Sequence, residues 1–175
     1  MYREELYVRV RWPFRSAERW YQEYRRAWDG LERGPIDEVE QAYDRRVRAV
    51  WGLSVRARES LPFALEMLAS RNSEIRADAT SILGRLRDDP GAVGALVASL
   101  EQEREAEALD ATLVALAQIK SPRAVPALAR LIRDESTDGD TRFTAAQTLG
   151  STVGKRFDRE RTVEDALAWL DRHEN

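Results

Sequence analysis

The sequence has no cysteine, and its one histidine is His173, close to the C-terminal end. Disulfides, thiol nucleophiles and zinc–thiolate sites are therefore excluded. His173 has no metal-ligand or base partner nearby in sequence and reads as a solvated side chain. No run approaches the roughly 18 apolar residues of a membrane span. The opening MYREELYVRV has no apolar signal core, so the default expectation is a cytoplasmic protein. A large excess of one charge is missing too. The net charge is −3, which argues against general electrostatic binding of nucleic acid. Lysine is scarce beside arginine. With abundant alanine, this points to GC-rich bacterial coding rather than to a phosphate-binding surface.

What is present is charge of both signs, 34% of residues, and ample aliphatic content, which together suit a folded domain of ordinary size. The charge is unevenly spread. Residues 1–60 hold 13 Arg against 11 Asp and Glu, whereas the remainder is acidic. Three stretches nearly repeat one another: IRADATSILG at 75–84, ALDATLVALA at 108–117 and TRFTAAQTLG at 141–150. Leu83, Leu116 and Leu149 recur every 33 residues, as do Gly84, Ala117 and Gly150. A fixed period of this size is the mark of stacked helical units, each needing its neighbours to cover its apolar face.

Residues 6–12, LYVRVRW, alternate apolar and polar and read as a strand ended by Pro13. No other segment offers it a partner. It would add to another chain, pair with its copy in a homodimer, or lie as an extended arm on the helices. Residues 16–31 read as a helix capped by Ser16 and stopped by Gly30 and Gly34, with Ala17, Trp20, Tyr24, Ala27, Trp28 and Leu31 in one stripe. Ten of the 14 aromatics lie in residues 1–51. They make either a stacking platform for bases or a ligand, or a hydrophobic plug on the open end of the stack. Asp37 and Glu40 have capping-box spacing before a helix over 37–51. Val39, Tyr43, Val47, Val50 and Trp51 form its apolar face, and its spacing to the repeats suggests a degenerate repeat helix.

Residues 54–60 read as a polar connector or short helix. First helices are expected at 61–70, 92–101 and 124–133, with Pro62 and Pro126 in their first turns. Second helices are expected at roughly 74–87, 105–119 and 141–152. Thr162 and Asp165 give a capping-box start to a final amphipathic helix carrying Ala166, Leu167, Trp169 and Leu170.

These units resemble HEAT repeats, in the bacterial form called PBS-lyase HEAT-like. The resemblance rests on Ile75-Arg76 and Ile82-Leu83-Gly84 in the first unit. In the third it rests on Pro126, Leu128, Leu131, Arg142, Ala145-Ala146 and Thr148-Leu149-Gly150. The middle unit departs, with Leu109 for the Arg and Ala117 for the Gly. It covers about residues 61–151. It implies an all-α fold, a short right-handed α-solenoid of helical hairpins; the N-terminal residues read above add an aromatic-rich helical cap and, as one alternative, a strand-like arm. The expected organisation is an N-terminal extension and cap at 1–53, three repeats at 54–152 and a C-terminal capping helix at 153–175.

The family mostly acts as binding scaffold, so the resemblance implies a non-enzymatic adaptor for another protein or peptide, with no cofactor. In such stacks the second helices line the concave side. Residues 33 apart then form ridges: Asp78, Ala111, Thr144; Ser81, Val114, Gln147; Arg85, Gln118, Ser151. Asp78, Ser81, Arg85, Val114, Gln118, Thr144 and Gln147 are the expected partner-binding positions, set against plain solvent exposure. An alternative is an acidic inhibitor or immunity-type protein for a basic partner. A further alternative is a nucleic-acid enzyme similar to the alkylpurine DNA glycosylases of this fold, which use Trp and Asp in a basic concave groove. Here the tryptophans cluster before the repeats, and the repeats are acidic. Bilin attachment, suggested by the family's name, has no residue pattern here.

Three local motifs are weighed against structural readings. Asp134, Ser136, Asp138 and Asp140 match the opening of a calcium loop, but the twelfth position is Ala145 where a bidentate Glu belongs. The competing reading is a surface turn with Asp140 capping the helix at Thr141. Gly150 to Lys155 faintly resembles a phosphate loop and reads better as a helix C-terminus. Glu101, Glu103, Glu105 and Glu107 read as a solvated turn and helix start, or as a site for a basic partner.

Overall fold

The computed structural model describes residues 15–87 and 89–173. The strand expected at 6–12 lies outside the described residues. Those described form α-helices and short 3₁₀ turns. In chain order the helices are α1 (Ala17–Arg33), α2 (Val39–Val55), α3 (Ala57–Leu68), α4 (Ser73–Leu83), α5 (Pro90–Gln102), α6 (Ala106–Ile119), α7 (Val125–Arg133), α8 (Gly139–Val153) and α9 (Thr162–His173).

The helices pack as hairpins, α1 with α2, α3 with α4, α5 with α6, and α7 with α8. Each odd-numbered helix then contacts the next odd one, and α2, α4, α6 and α8 contact in succession. The result is a two-layer α-solenoid. The α1–α2 pair thus stacks on α3–α4 in the same relation as the later pairs do on one another. Helix α9 closes the other end, against α7 and α8, burying Ala166 and Leu170.

The periodic leucines are the seam of the stack. Leu83, Leu116 and Leu149 are completely buried. Close approach at the seam is set by small residues: a Cβ on Gly84 would sit 3.1 Å from the Cβ of Ala115, so α4 and α6 touch nearly backbone to backbone there. Polar corners are closed by arginines of the second helices. Arg76 NH1 donates to the carbonyls of Ser70 and Arg71, each at 3.0 Å. Arg142 Nε donates to the Ile132 carbonyl at 2.9 Å. Arg142 thereby satisfies an acceptor in the last turn of α7, and Arg76 satisfies acceptors in the turn after α3. In the middle unit Leu109 replaces this arginine and packs against the core instead.

Several boundaries differ from the sequence expectation. Helix α3 begins at Ala57, so the polar connector is helix, and Pro62 sits in the second turn rather than the first. Ala57 and Ser60 are buried there, and Ser60 Oγ donates to the Leu53 carbonyl at 2.9 Å, which satisfies its hydroxyl. Asp37 does not cap α2; a 3₁₀ turn at Ile36–Glu38 precedes that helix, which has no side-chain cap. Helix α1 runs through Gly30 and ends before Gly34, and its Ser16 cap is present.

Candidate functional site

The site begins with a size mismatch between two helices. Helix α1 offers α2 large rings, among them buried Trp20, Tyr24 and Trp28. Helix α2 answers with its small face: Ala42, Ala49 and Gly52 are buried beside Leu53. Gly30 of α1 likewise lies close to Ala42, where an added Cβ would be 3.1 Å from the Ala42 Cβ. The aromatics of α1 are therefore core, as the plug reading expected. The large apolar side of α2 was expected to be its core-facing side. Val50 and Trp51 do pack on the core, but together with Tyr43 and Val47 they also line a groove on the even-helix layer, because the small side already fills the contact with α1.

The groove holds about 450 Å³. Besides α2 it is lined by Asp78 and Ser81 of α4, by Gly84 and Arg85 in the turn after it, and by Ala111, Val114, Ala115 and Gln118 of α6. Tyr43 and Val114 are the large apolar residues most open to solvent here, at 54% and 52%. Both walls are thus apolar and solvated.

Polar groups sit at the groove's margins. Arg46 Nε donates to Asp78 Oδ2 at 2.8 Å, and its NH1 donates to Glu74 Oε2 at 2.6 Å. Tyr24 OH donates to the same Asp78 oxygen at 2.8 Å. The Arg46 guanidinium also lies 4.6 Å above the Trp28 ring. This cluster ties α1, α2 and α4 together. Burial pushes the Asp78 carboxyl above its ordinary value despite these donors. Burial, with the Asp78 charge beside it, holds the Tyr24 phenol far above its own. Arg85 stacks over Trp51 at 5.7 Å.

Of the expected partner-binding residues, the structure brings Asp78, Ser81, Arg85, Val114 and Gln118 into this groove. Asp78 is there with its carboxylate already bonded. Thr144 does not line it; its hydroxyl donates to the Asp140 carbonyl at 3.0 Å. Gln147 lines a separate pocket with Ser151 and the loop after α8. Tyr43, Val47, Val50 and Trp51 were missed as site residues. Trp51 was read as part of the apolar face of a degenerate repeat helix, and α2 carries it into the groove.

The other motifs resolve locally. Asp134 Oδ1 accepts from Ser136 N at 2.9 Å and Ser136 Oγ at 2.6 Å, and these bonds hold its carboxyl below the ordinary value. Asp138, not Asp140, caps α8, accepting from Thr141 N at 2.9 Å. Ala145 is fully buried, so the twelfth loop position offers no ligand. Among the described residues no group of three or more His, Asp or Glu converges on a metal-sized site. Lys155 follows Gly154, which ends α8 in the left-handed conformation, φ 68°. His173 stacks on Trp169 with ring centroids 4.3 Å apart.

The glutamate run is not uniformly solvated. Glu103 is 8% exposed and forms a two-pronged pair with Arg76, at 2.7 and 2.8 Å. The Arg76 guanidinium, together with the backbone amides of Glu105 and Arg104, holds its carboxyl down at about 2.

The hairpins, their 33-residue seam and the arginines closing their corners agree with a family comparison in which residues 95–174 match the sequence model of HEAT repeats. Residues 95–174 carry HEAT repeats. No curated protein matches the sequence. HEAT repeats are generally protein-interaction scaffolds, and their typical role is non-enzymatic. No helix among the described residues is long and apolar enough to cross a membrane.

Proposed function

We propose that this HEAT-repeat chain is a non-enzymatic adaptor that holds an apolar segment of another protein between α2, α4 and α6. The observation that carries the reading is the open face of α2. Tyr43 is exposed and Val47, Val50 and Trp51 are half-buried across from exposed Val114, in a groove of about 450 Å³. Covering apolar area of this kind is worth roughly 25 cal/mol per Å² removed from water. Aromatic anchors in a preformed pocket are the usual centres of binding energy.

The groove itself carries Arg46 and Arg85 beside Asp78. That balance does not favour the acidic-inhibitor reading, which needs an acidic face for a basic partner. The glycosylase reading gains Trp51 and Asp78 in one groove. It loses at Asp78, whose Oδ2 already accepts from Arg46 and Tyr24.

The test is selection of peptides from a random library, followed by titration. The wild-type chain should enrich peptides with bulky apolar residues. Val114→Glu, and separately Arg85→Glu with Gln118→Glu, should weaken the selected peptides at least about tenfold, equivalent to roughly 1.4 kcal/mol, at unchanged thermal midpoint. Retained affinity in both variants would remove the groove from consideration.

A further inference from the structure

Helix α8 continues the even-helix layer past the groove, and the loop after it holds a second cavity, of about 310 Å³. Lys155, Arg156 and Arg159 line it over Gln147 and Ser151. None of the three cations forms an ion pair or side-chain hydrogen bond among the described residues. Of the acids nearby in sequence, Asp158 and Asp165 are used elsewhere, and none lines the cavity. Asp165 Oδ2 accepts from Asp158 N at 3.0 Å, and Asp158 Oδ1 accepts from Glu160 N at 2.8 Å. Asp165 therefore does not complete the capping box expected with Thr162. Its carboxylate fastens the loop, and neither acid lines the cavity.

The loop is held in place from below. A Cβ on Gly150 would meet the Lys155 carbonyl at 2.8 Å and the Phe157 ring at 3.2 Å, so the loop packs directly on the glycine of α8. Lys155 N donates to the Gly150 carbonyl at 2.9 Å, and the buried Thr162 hydroxyl donates to the Asp158 carbonyl at 2.7 Å. Three cations are thus carried on a pinned backbone, beside an amide and a hydroxyl, in a chain whose net charge is −3. Held together without carboxylates, they repel one another, and an anion relieves that repulsion.

We propose that this cavity is an anion pocket that receives the carboxylates of an acidic protein segment, with Lys155, Arg156 and Arg159 as its donors. Neighbouring packed helices lie about 8–10 Å apart. The pocket on α8 is therefore one helix spacing beyond the α6 wall of the groove. A strand-like peptide rises about 3.3 Å per residue, so a segment with its apolar part in the groove reaches the pocket within a few residues. That continuity rests on the proposed function; the pocket itself does not. Nucleic acid is the less favoured anion, because three cations on an acidic chain neutralise few phosphates.

The experiment titrates the full chain with a fluorescent ten-residue oligoglutamate at low salt. Inorganic phosphate and a ten-nucleotide single-stranded DNA serve as competitors. The oligoglutamate has no apolar anchor, so it reads the pocket alone, and failure of the groove reading would not alter its binding. Binding is expected, and Lys155→Glu with Arg159→Glu should weaken it by at least about tenfold through loss of two charge-assisted contacts. Lys120→Glu with Arg123→Glu makes the same change of net charge on a different turn and should leave the affinity within about twofold. Circular dichroism confirms that both double variants remain folded. Absence of binding, or equal weakening by both double variants, would overturn the proposal. So would displacement by millimolar phosphate, which would mark a small-ion site, or by DNA at lower concentration than the peptide.

Discussion

Gly52 lies flat against the indole of Trp20: a Cβ placed on Gly52 would fall 2.2 Å from Trp20 Cδ2 and 2.4 Å from Cε2. The ring is itself buried, at 3% exposure, and has no room to retreat. This one contact sets how closely α2 sits on α1, and therefore which face of α2 is left for the groove.

Gly52→Ala should accordingly destabilise the chain, by about 1–3 kcal/mol for overpacking. That cost outweighs the gain of about 1 kcal/mol that Ala brings to a helix interior. Denaturant titration measures the loss, and the near-ultraviolet circular dichroism of Trp20 should change with it. A variant as stable as wild type would mean that α2 does not rest on the indole.

The leucine seam makes a second, independent expectation. Leu83→Ala and Leu149→Ala should each cost about 2–5 kcal/mol, the range for emptying a fully buried leucine site. The two sites lie in different hairpins of one continuous core. Their effects should therefore appear as a lowered midpoint of a single transition rather than as loss of one separate unit. Unchanged thermal midpoints would contradict the stacked core.

The Arg76–Glu103 pair predicts a pH dependence with a definite sign. The Glu103 carboxyl is held at about 2 in the folded chain, below the 4.5 it has when unpaired. A depressed folded value means stability that is present above the unfolded value and lost as pH falls from about 4.5 towards 2. Glu103→Gln should flatten that part of the stability-versus-pH curve. Arg76→Ala should cost about 3 kcal/mol at pH 7, because it leaves a buried carboxylate unpaired. Urea titrations at a series of pH values between 2 and 7 check both outcomes. A wild-type and Glu103→Gln pair with parallel curves would remove this ion pair from the account.

What the sequence made legible follows from what a local window contains. The 33-residue period carried the hairpin stack, because Leu83, Leu116 and Leu149 do the same job in successive units. Local reading failed where the deciding partner is distant. Glu103 stands among other glutamates and looks solvated; its arginine is 27 residues away. The face of α2 was misassigned in part, at Tyr43 and Val47, for a related reason. Tyr43, Val47, Val50 and Trp51 at helical spacing look like core, while Ala42, Ala49 and Gly52 carry little apolar area and attract no notice. The clue lay on another helix, in the three large rings of α1 that need a small surface to lie on. Pro62 misled in a simpler way, since prolines favour first turns, whereas buried Ala57 and Ser60 extend α3 before it.

Hydrogen exchange on the full chain, with and without a library-selected apolar peptide, tests the central claim most directly. The groove account predicts added protection concentrated together in residues 43–54, 78–85 and 111–118, on α2, α4 and α6. Protection confined to α3, α5 and α7 on the opposite layer, with those three segments unchanged, would contradict it.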